Sequence, residues 1–125
     1  MILDTNSLSA IAEAEPRAVA VFSQAQSIAI PVIVLGEYLF GIVRSNRRLE
    51  YEKWVRHVLR TFLVLNIGAE TAVKYAEVRL ELKRSGSPIP SNDLWIAALC
   101  RQHSLPLLSK DRHFDSVRGL RRVGW

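Results

Sequence analysis

Residues 27–43 read SIAIPVIVLGEYLFGIV. SIAI has the length and apolar content of a buried strand. Pro31 suits the first turn of a helix, where its missing N–H costs nothing. The remainder, up to RSNRR (44–48), continues as that helix. A strand feeding a helix directly is half of a βαβ unit. Glu37 is the only formal charge in these seventeen residues. A lone carboxylate in an apolar interior is costly unless something compensates it, so its partner has to be sought elsewhere in the chain. The stretch is no membrane span: it is shorter than the ~20 apolar residues a bilayer needs, and Pro31, Gly36, Glu37 and Gly41 interrupt it.

The same alternation runs outward in both directions. MIL is a short strand ended by Asp4, Thr5 and Asn6, which suit a helix cap. SLSAIAEAE is helical, and Pro16 starts a second helix. Residues 48–61 are amphipathic and helical, and FLVLNI (62–67) is a third strand. GAETAVKYAEVRLELKR forms a helix with Ala69, Ala72, Val73, Ala76 and Leu80 on its apolar face and a Glu70–Lys74 pair one turn apart. SGSPIPS is a loop. NDLWIAALCRQH is a helix whose seven consecutive apolar residues (94–100) predict burial on most sides. LPLLS is a fourth strand, KDRHFDSV a turn with a short helix, and LRRV a last edge strand. Strands alternating with helices predict a three-layer α/β/α sandwich around a mainly parallel sheet, one domain over residues 1–125. In such sheets the site lies beyond the carboxyl ends of the strands.

Composition narrows the function classes. The single cysteine, Cys100, excludes an internal disulfide and fits a reducing cytoplasm. MILDTN lacks the basic and apolar regions of a signal peptide. Net charge is +5, with a pI near 9.9, compatible with a nucleic-acid partner, although solvated lysines and arginines give the same balance. There is no Gly-rich phosphate loop, no GxSxG and no CxxC. His57, His103 and His113 lack metal-ligand spacing and read as surface or loop-end residues.

The acids carry more information. The four aspartates are Asp4, Asp93, Asp111 and Asp115, with none between residues 5 and 92. Asp4 ends the first strand and Asp111 follows the fourth, so both fall at the carboxyl edge. Asp93 opens the buried helix, and Glu37 lies two turns into the helix after the second strand. The four carboxylates Asp4, Glu37, Asp93 and Asp111 are expected to converge. Two carboxylates at ~4 Å repel by about 4 kcal/mol at an effective dielectric of ~20, so such a group takes up protons or binds cations. Oxygen-only donors select hard ions, Mg2+ or Mn2+. Each acid also has a plain structural reading. Asp4 and Asp93 can be helix caps, Asp111 can cap a turn or pair with Lys110 or Arg112, and Glu37 can face an arginine. Trp95 is either core or a base-stacking platform. Lys110, Arg112, RSNRR and LKRS (82–85) are either a phosphate-binding rim or solvated charge.

MILDTNSLSA, VLGEYLFGI, NDLWIAA and LLSKDRHFDSV, in this order and spacing, resemble the PIN-domain family. They are most similar to its VapC branch, the toxin ribonucleases of type II toxin–antitoxin pairs. GLRRVGW resembles the end of such a toxin, so the likeness spans the chain. It implies a five-stranded parallel sheet and a Mg2+- or Mn2+-dependent endoribonuclease that hydrolyses RNA by metal-activated water. It also implies a homodimer and a VapB-type antitoxin. The resemblance matches Asp4, Glu37 and Asp93 to the family's acids, with Asp111 as the fourth and Asp115 as fallback. Asn6 and Ser109 sit where the family has orienting polar residues. Two departures stand out: serine rather than threonine at 109, and histidine rather than an acid before Phe114. The rival readings are a PIN-domain RNA-processing nuclease without an antitoxin, and a receiver-like Mg2+-binding domain. The receiver needs an aspartate after the third strand, and this chain has none there. The apolar surface of YLFGIV and the 48–61 helix exceeds what a small monomer buries, which marks an interface.

Overall fold

The computed structural model describes residues 1–125. Five short strands, β1 (Ile2–Leu3), β2 (Ala29–Pro31), β3 (Leu63–Leu65), β4 (Leu107–Leu108) and β5 (Arg122–Val123), form one sheet. The order is β3-β2-β1-β4-β5, and every pairing is parallel. Six helices connect them: α1 (Thr5–Ala12), α2 (Pro16–Phe22), α3 (Val32–Ile42), α4 (Arg48–Thr61), α5 (Ala69–Arg84) and α6 (Ser91–His103), with a 3-10 turn at Arg112–Ser116. The expected alternation is therefore present throughout. Pro31 differs slightly from expectation: it pairs with Leu65 as the last residue of β2 and caps α3 rather than lying inside it.

Topology fixes the layers. β1 to β2 to β3 steps one way across the sheet, and β3 to β4 steps back past β1. With right-handed crossovers, α1–α4 cover one face, and α5 and α6 the other. The order reverses between β1 and β4, and a crevice at the carboxyl end of such a reversal is the usual ligand site of open α/β sheets. Asp4 and Asp111 are the residues that leave these two strands.

The core is a cluster of 22 buried residues, with Ile2, Leu3, Ile30, Leu107 and Leu108 from the strands and Leu94, Ile96, Ala97, Leu99 and Cys100 from α6. α6 is buried on most sides, as its apolar run predicts. α5 corrects the sequence reading. Its buried residues are Thr71, Val78 and Leu82, whereas Ala69, Ala72, Val73, Ala76 and Leu80 face solvent. The helix carries two apolar stripes. The one with the larger side chains, plus a Thr71 hydroxyl satisfied by Gln102 at 2.6 Å, is the one packed inward. Lys74 pairs with Glu77 rather than Glu70. No helix is long and apolar enough to cross a membrane.

Candidate active site

Asp4 is the first residue beyond β1 and is only 3% exposed. Its Oδ1 accepts the Ser7 N–H at 2.8 Å, so the residue does cap α1. The cap uses one oxygen. No lysine or arginine pairs with the carboxylate. Burial raises its pKa above the ordinary aspartate value, and the nearby charge of Asp111 adds to the rise. The Ser109 hydroxyl and the Ser7 N–H oppose it.

Asp93 lies in the first turn of α6. It caps nothing, because Pro90 occupies the cap position and makes no side-chain bond. Burial raises its pKa too, and so do the charges of Asp111 and Asp4, against the influence of His113. His113 Nε2 stands 2.9 Å from Asp93 Oδ2, though off the alignment of a hydrogen bond. Asp111 precedes the 3-10 turn and makes no cap bond with its side chain. Its backbone N–H donates to the buried Ser109 Oγ at 3.0 Å. Three aspartates from three distant parts of the chain thus share one edge and feel one another's charge. Asp115 is separate: Arg122 holds it with two hydrogen bonds at 2.8 and 3.0 Å. Of the two candidates for the fourth acid, Asp115 is thus taken up by an arginine, and Asp111 has no lysine or arginine partner.

Glu37 corrects the expectation drawn from its apolar surroundings. The residue is exposed. Its stretch of α3 buries Val34, Tyr38 and Ile42 and turns Val32, Leu39, Phe40 and Val43 outward, so the apolar run is not an apolar interior. Glu37 has no arginine partner either. Asn92 Nδ2 donates to its Oε1 at 3.0 Å, linking α3 to the first turn of α6 beside Asp93. The four carboxylates are therefore not drawn onto one point: no three His, Cys, Asp or Glu side chains close together as a finished metal cage.

The donor set nevertheless fits a hard divalent cation. It consists of carboxylate oxygens, without cysteine, on a buried aspartate that has no cationic partner. Asn6 is exposed two residues after Asp4, and Arg112 is exposed beyond Asp111. Lys110 is exposed as well, its Nζ 5.0 Å from the Trp125 ring centre. Sequence reasoning missed Ser7, Asn92 and the contact of His113 with Asp93. Ser7 carries a signal, standing three residues after a cap, but Asn92 and His113 become neighbours of the acids only through the tertiary fold.

Similarity to known proteins agrees with this geometry. Ribonuclease VapC2 of Haemophilus influenzae is 29% identical over a 127-residue alignment that covers 99% of this chain and 96% of the relative. Ribonuclease VapC5 of Mycobacterium tuberculosis is 27% identical over 103 residues, 77% of this chain and 73% of the relative. Among solved structures, FitAcB from Neisseria gonorrhoeae superposes with a TM-score of 0.85 at 25% identity, covering 97% of this chain and 94% of that one. DNA-bound VapBC from Salmonella typhimurium gives 0.86 at 24% identity, covering 99% and 96%. The family described as PIN domain matches residues 1–120. That match, together with the absence of an aspartate after the third strand, sets the receiver-like reading aside, and the chain belongs to the PIN-domain family.

Proposed function

We propose that residues 1–125 act as one unit, a divalent-metal-dependent endoribonuclease serving as the toxin of a VapBC-type pair. The observation that carries the reading is Asp4: a buried carboxylate with raised proton affinity, no lysine or arginine beside it, and two further aspartates within electrostatic reach. Asp4, Asp93 and Asp111 are the residues that would hold the ion, Mg2+ or Mn2+. Glu37 borders the same site through Asn92. The cation, when bound, supplies Lewis acidity toward a water molecule and toward the phosphoryl oxygens of RNA.

The chain's own residues set the geometry. The Ser7 N–H fixes one Asp4 oxygen, and the Ser109 hydroxyl also acts on the carboxylate. Ser109, buried between β4 and Asp111, accepts the Asp111 N–H and holds the loop beneath that acid. His113 restrains Asp93, and its ring is itself held against Phe114 at 4.7 Å between centres. Asn92 keeps the Glu37 carboxylate turned toward α6. Lys110 and Arg112 extend into solvent next to Asp111 and meet backbone phosphates. Ser7 Oγ donates to the Asp4 carbonyl at 3.0 Å and serves structure; in the reaction proposed here water is the nucleophile.

The relatives' VapBC complexes suggest one partner, a VapB-type antitoxin, and the family resemblance implies a second copy of the chain as another. Outward-facing Val32, Leu39 and Phe40 on α3, Val43 at its end and Leu49 on α4 are the surface available to them. A lone buried thiol accords with a reducing cytoplasm. The direct test is cleavage of single-stranded RNA by purified protein. Activity should require Mg2+ or Mn2+ and disappear in Asp4→Ala and Asp93→Ala. Full activity in EDTA ends the mechanism.

A further inference from the structure

The basic stretch at 44–48 offers few free cations. Arg47 is held by Glu50 at 2.8 Å and Glu13 at 3.4 Å, and Arg48 by Glu52 at 2.7 Å. Arg44 lies over the Phe40 ring. Elsewhere Arg101 is taken by Glu81 and Arg122 by Asp115. Arg79 and Lys83, like Lys110 and Arg112 beside Asp111, pair with no carboxylate. They stand one turn apart on α5, about 6 Å along its axis at 1.5 Å per residue.

Both line a cleft of about 420 Å3 between α5 and the loop 85–90, walled by Tyr75, Pro88 and Ile89 and reaching Ser91 and Leu94, with no acid in its lining. Ser91 and Leu94 flank Asp93 on the first turn of α6. Tyr75 is stacked on Trp95 with ring centres 4.0 Å apart, and Arg79 Nη1 donates to the Tyr75 hydroxyl at 2.9 Å. The cleft wall is therefore tied rigidly to the helix that carries Asp93.

We propose that this cleft binds the single-stranded RNA substrate to one side of the scissile phosphate, with Arg79 and Lys83 on successive phosphates and the Tyr75–Ile89 wall against a base or ribose. The inference rests on the ribonuclease reading and names where its substrate runs. Free cations beside an aromatic and apolar wall are the combination that single strands take. The width of one pocket, lacking a second row of cations, does not suit a duplex.

The test is fluorescence anisotropy of a labelled single-stranded RNA, together with kcat and KM, across a salt series. Three full-length proteins are compared: wild type, Arg79→Gln/Lys83→Gln, and Arg47→Gln/Arg48→Gln, which loses the same charge at paired positions. All substituted side chains are exposed, and thermal melts verify folding. The cleft variant should raise KM about tenfold and leave kcat within about twofold. Its log–log salt slope should be shallower by about 1.4, the value for two contacts on a single strand. The paired-position variant should shift little. Equal shifts in both variants, or unchanged RNA binding in the cleft variant, overturn the proposal. So does loss of antitoxin affinity with RNA binding intact. A wild type that binds RNA through these cations and never cleaves it sinks the ribonuclease reading instead.

Discussion

Asp4 serves two ends that pull against each other. As a cap it stabilises α1, and as a buried, unpaired carboxylate it costs stability whenever it is charged. Its raised pKa fixes the sign. Between the ordinary aspartate value and the raised one, the folded state binds more protons than the unfolded state. Metal-free stability therefore falls as pH rises through that window. Asp4→Asn keeps a capping side chain and removes the charge. In EDTA at neutral pH its melting temperature should exceed that of the wild type, with a flatter pH dependence, while RNA cleavage drops more than about 100-fold, beyond the usual loss for a residue that only orients a ligand. A lower melting temperature would mean that the cap outweighs the buried charge. Asn92 is a positioning residue: Asn92→Ala should weaken cleavage by about 10-fold, the lower range for such partners, and Asn92→Gln should recover part of it. Cys100 is buried and its thiol is pushed up to about 12, so a thiol reagent should label it only after unfolding. Rapid labelling of the native protein would contradict its place in the core.

At the scale of elements, alternation was legible because strand-length apolar runs and helix-length segments are punctuated by Asp4, Pro16, Pro31, Gly68 and the 85–90 loop. The faces of helices were harder. On α5 the sequence offers two apolar stripes, and only packing against α6 decides between them. On α3 a nearly uncharged helix reads as buried, yet Phe40 is 70% exposed. Periodicity reports which residues share a face but not which face is covered when both are apolar. α6 carries no such ambiguity: Ala97 and Ala98 are fully buried. Ala97→Leu should cost about 1–3 kcal/mol of unfolding free energy in urea titration, the usual penalty of overpacking. An unchanged midpoint would show spare room beside that helix. Phe40→Ser on α3 should leave folding intact and weaken self-association, read by sedimentation velocity. Unaltered association would move the interface away from this face.

For the whole molecule, the sequence pattern placed Asp4 and Asp111 at the carboxyl edge because both follow strands, and Asp93 because it opens the helix leading to β4. Glu37 was harder to place: its distance from the other acids depends on how α3 leans across the edge, which no local pattern encodes. The bond from Asn92 and the contact of His113 likewise exist only once α3, α6 and the loop after β4 meet. The charge pattern divides the same way. The net charge of +5 is a property of composition, but which cations stay free depends on the ion pairs: local pairs with Glu50 and Glu52, and Glu13 across the fold, neutralise Arg47 and Arg48, while Arg79 and Lys83 pair with no carboxylate. The proposed function rests on the edge where Asp4, Asp93 and Asp111 meet with no lysine or arginine paired to any of them. Calorimetric titration of Mn2+ into metal-free protein tests that most directly. Wild type should bind the ion with proton release, Asp4→Asn and Asp93→Asn should abolish the binding, and Asp115→Asn should leave it unchanged. Equal Mn2+ affinity in all four proteins would contradict the account.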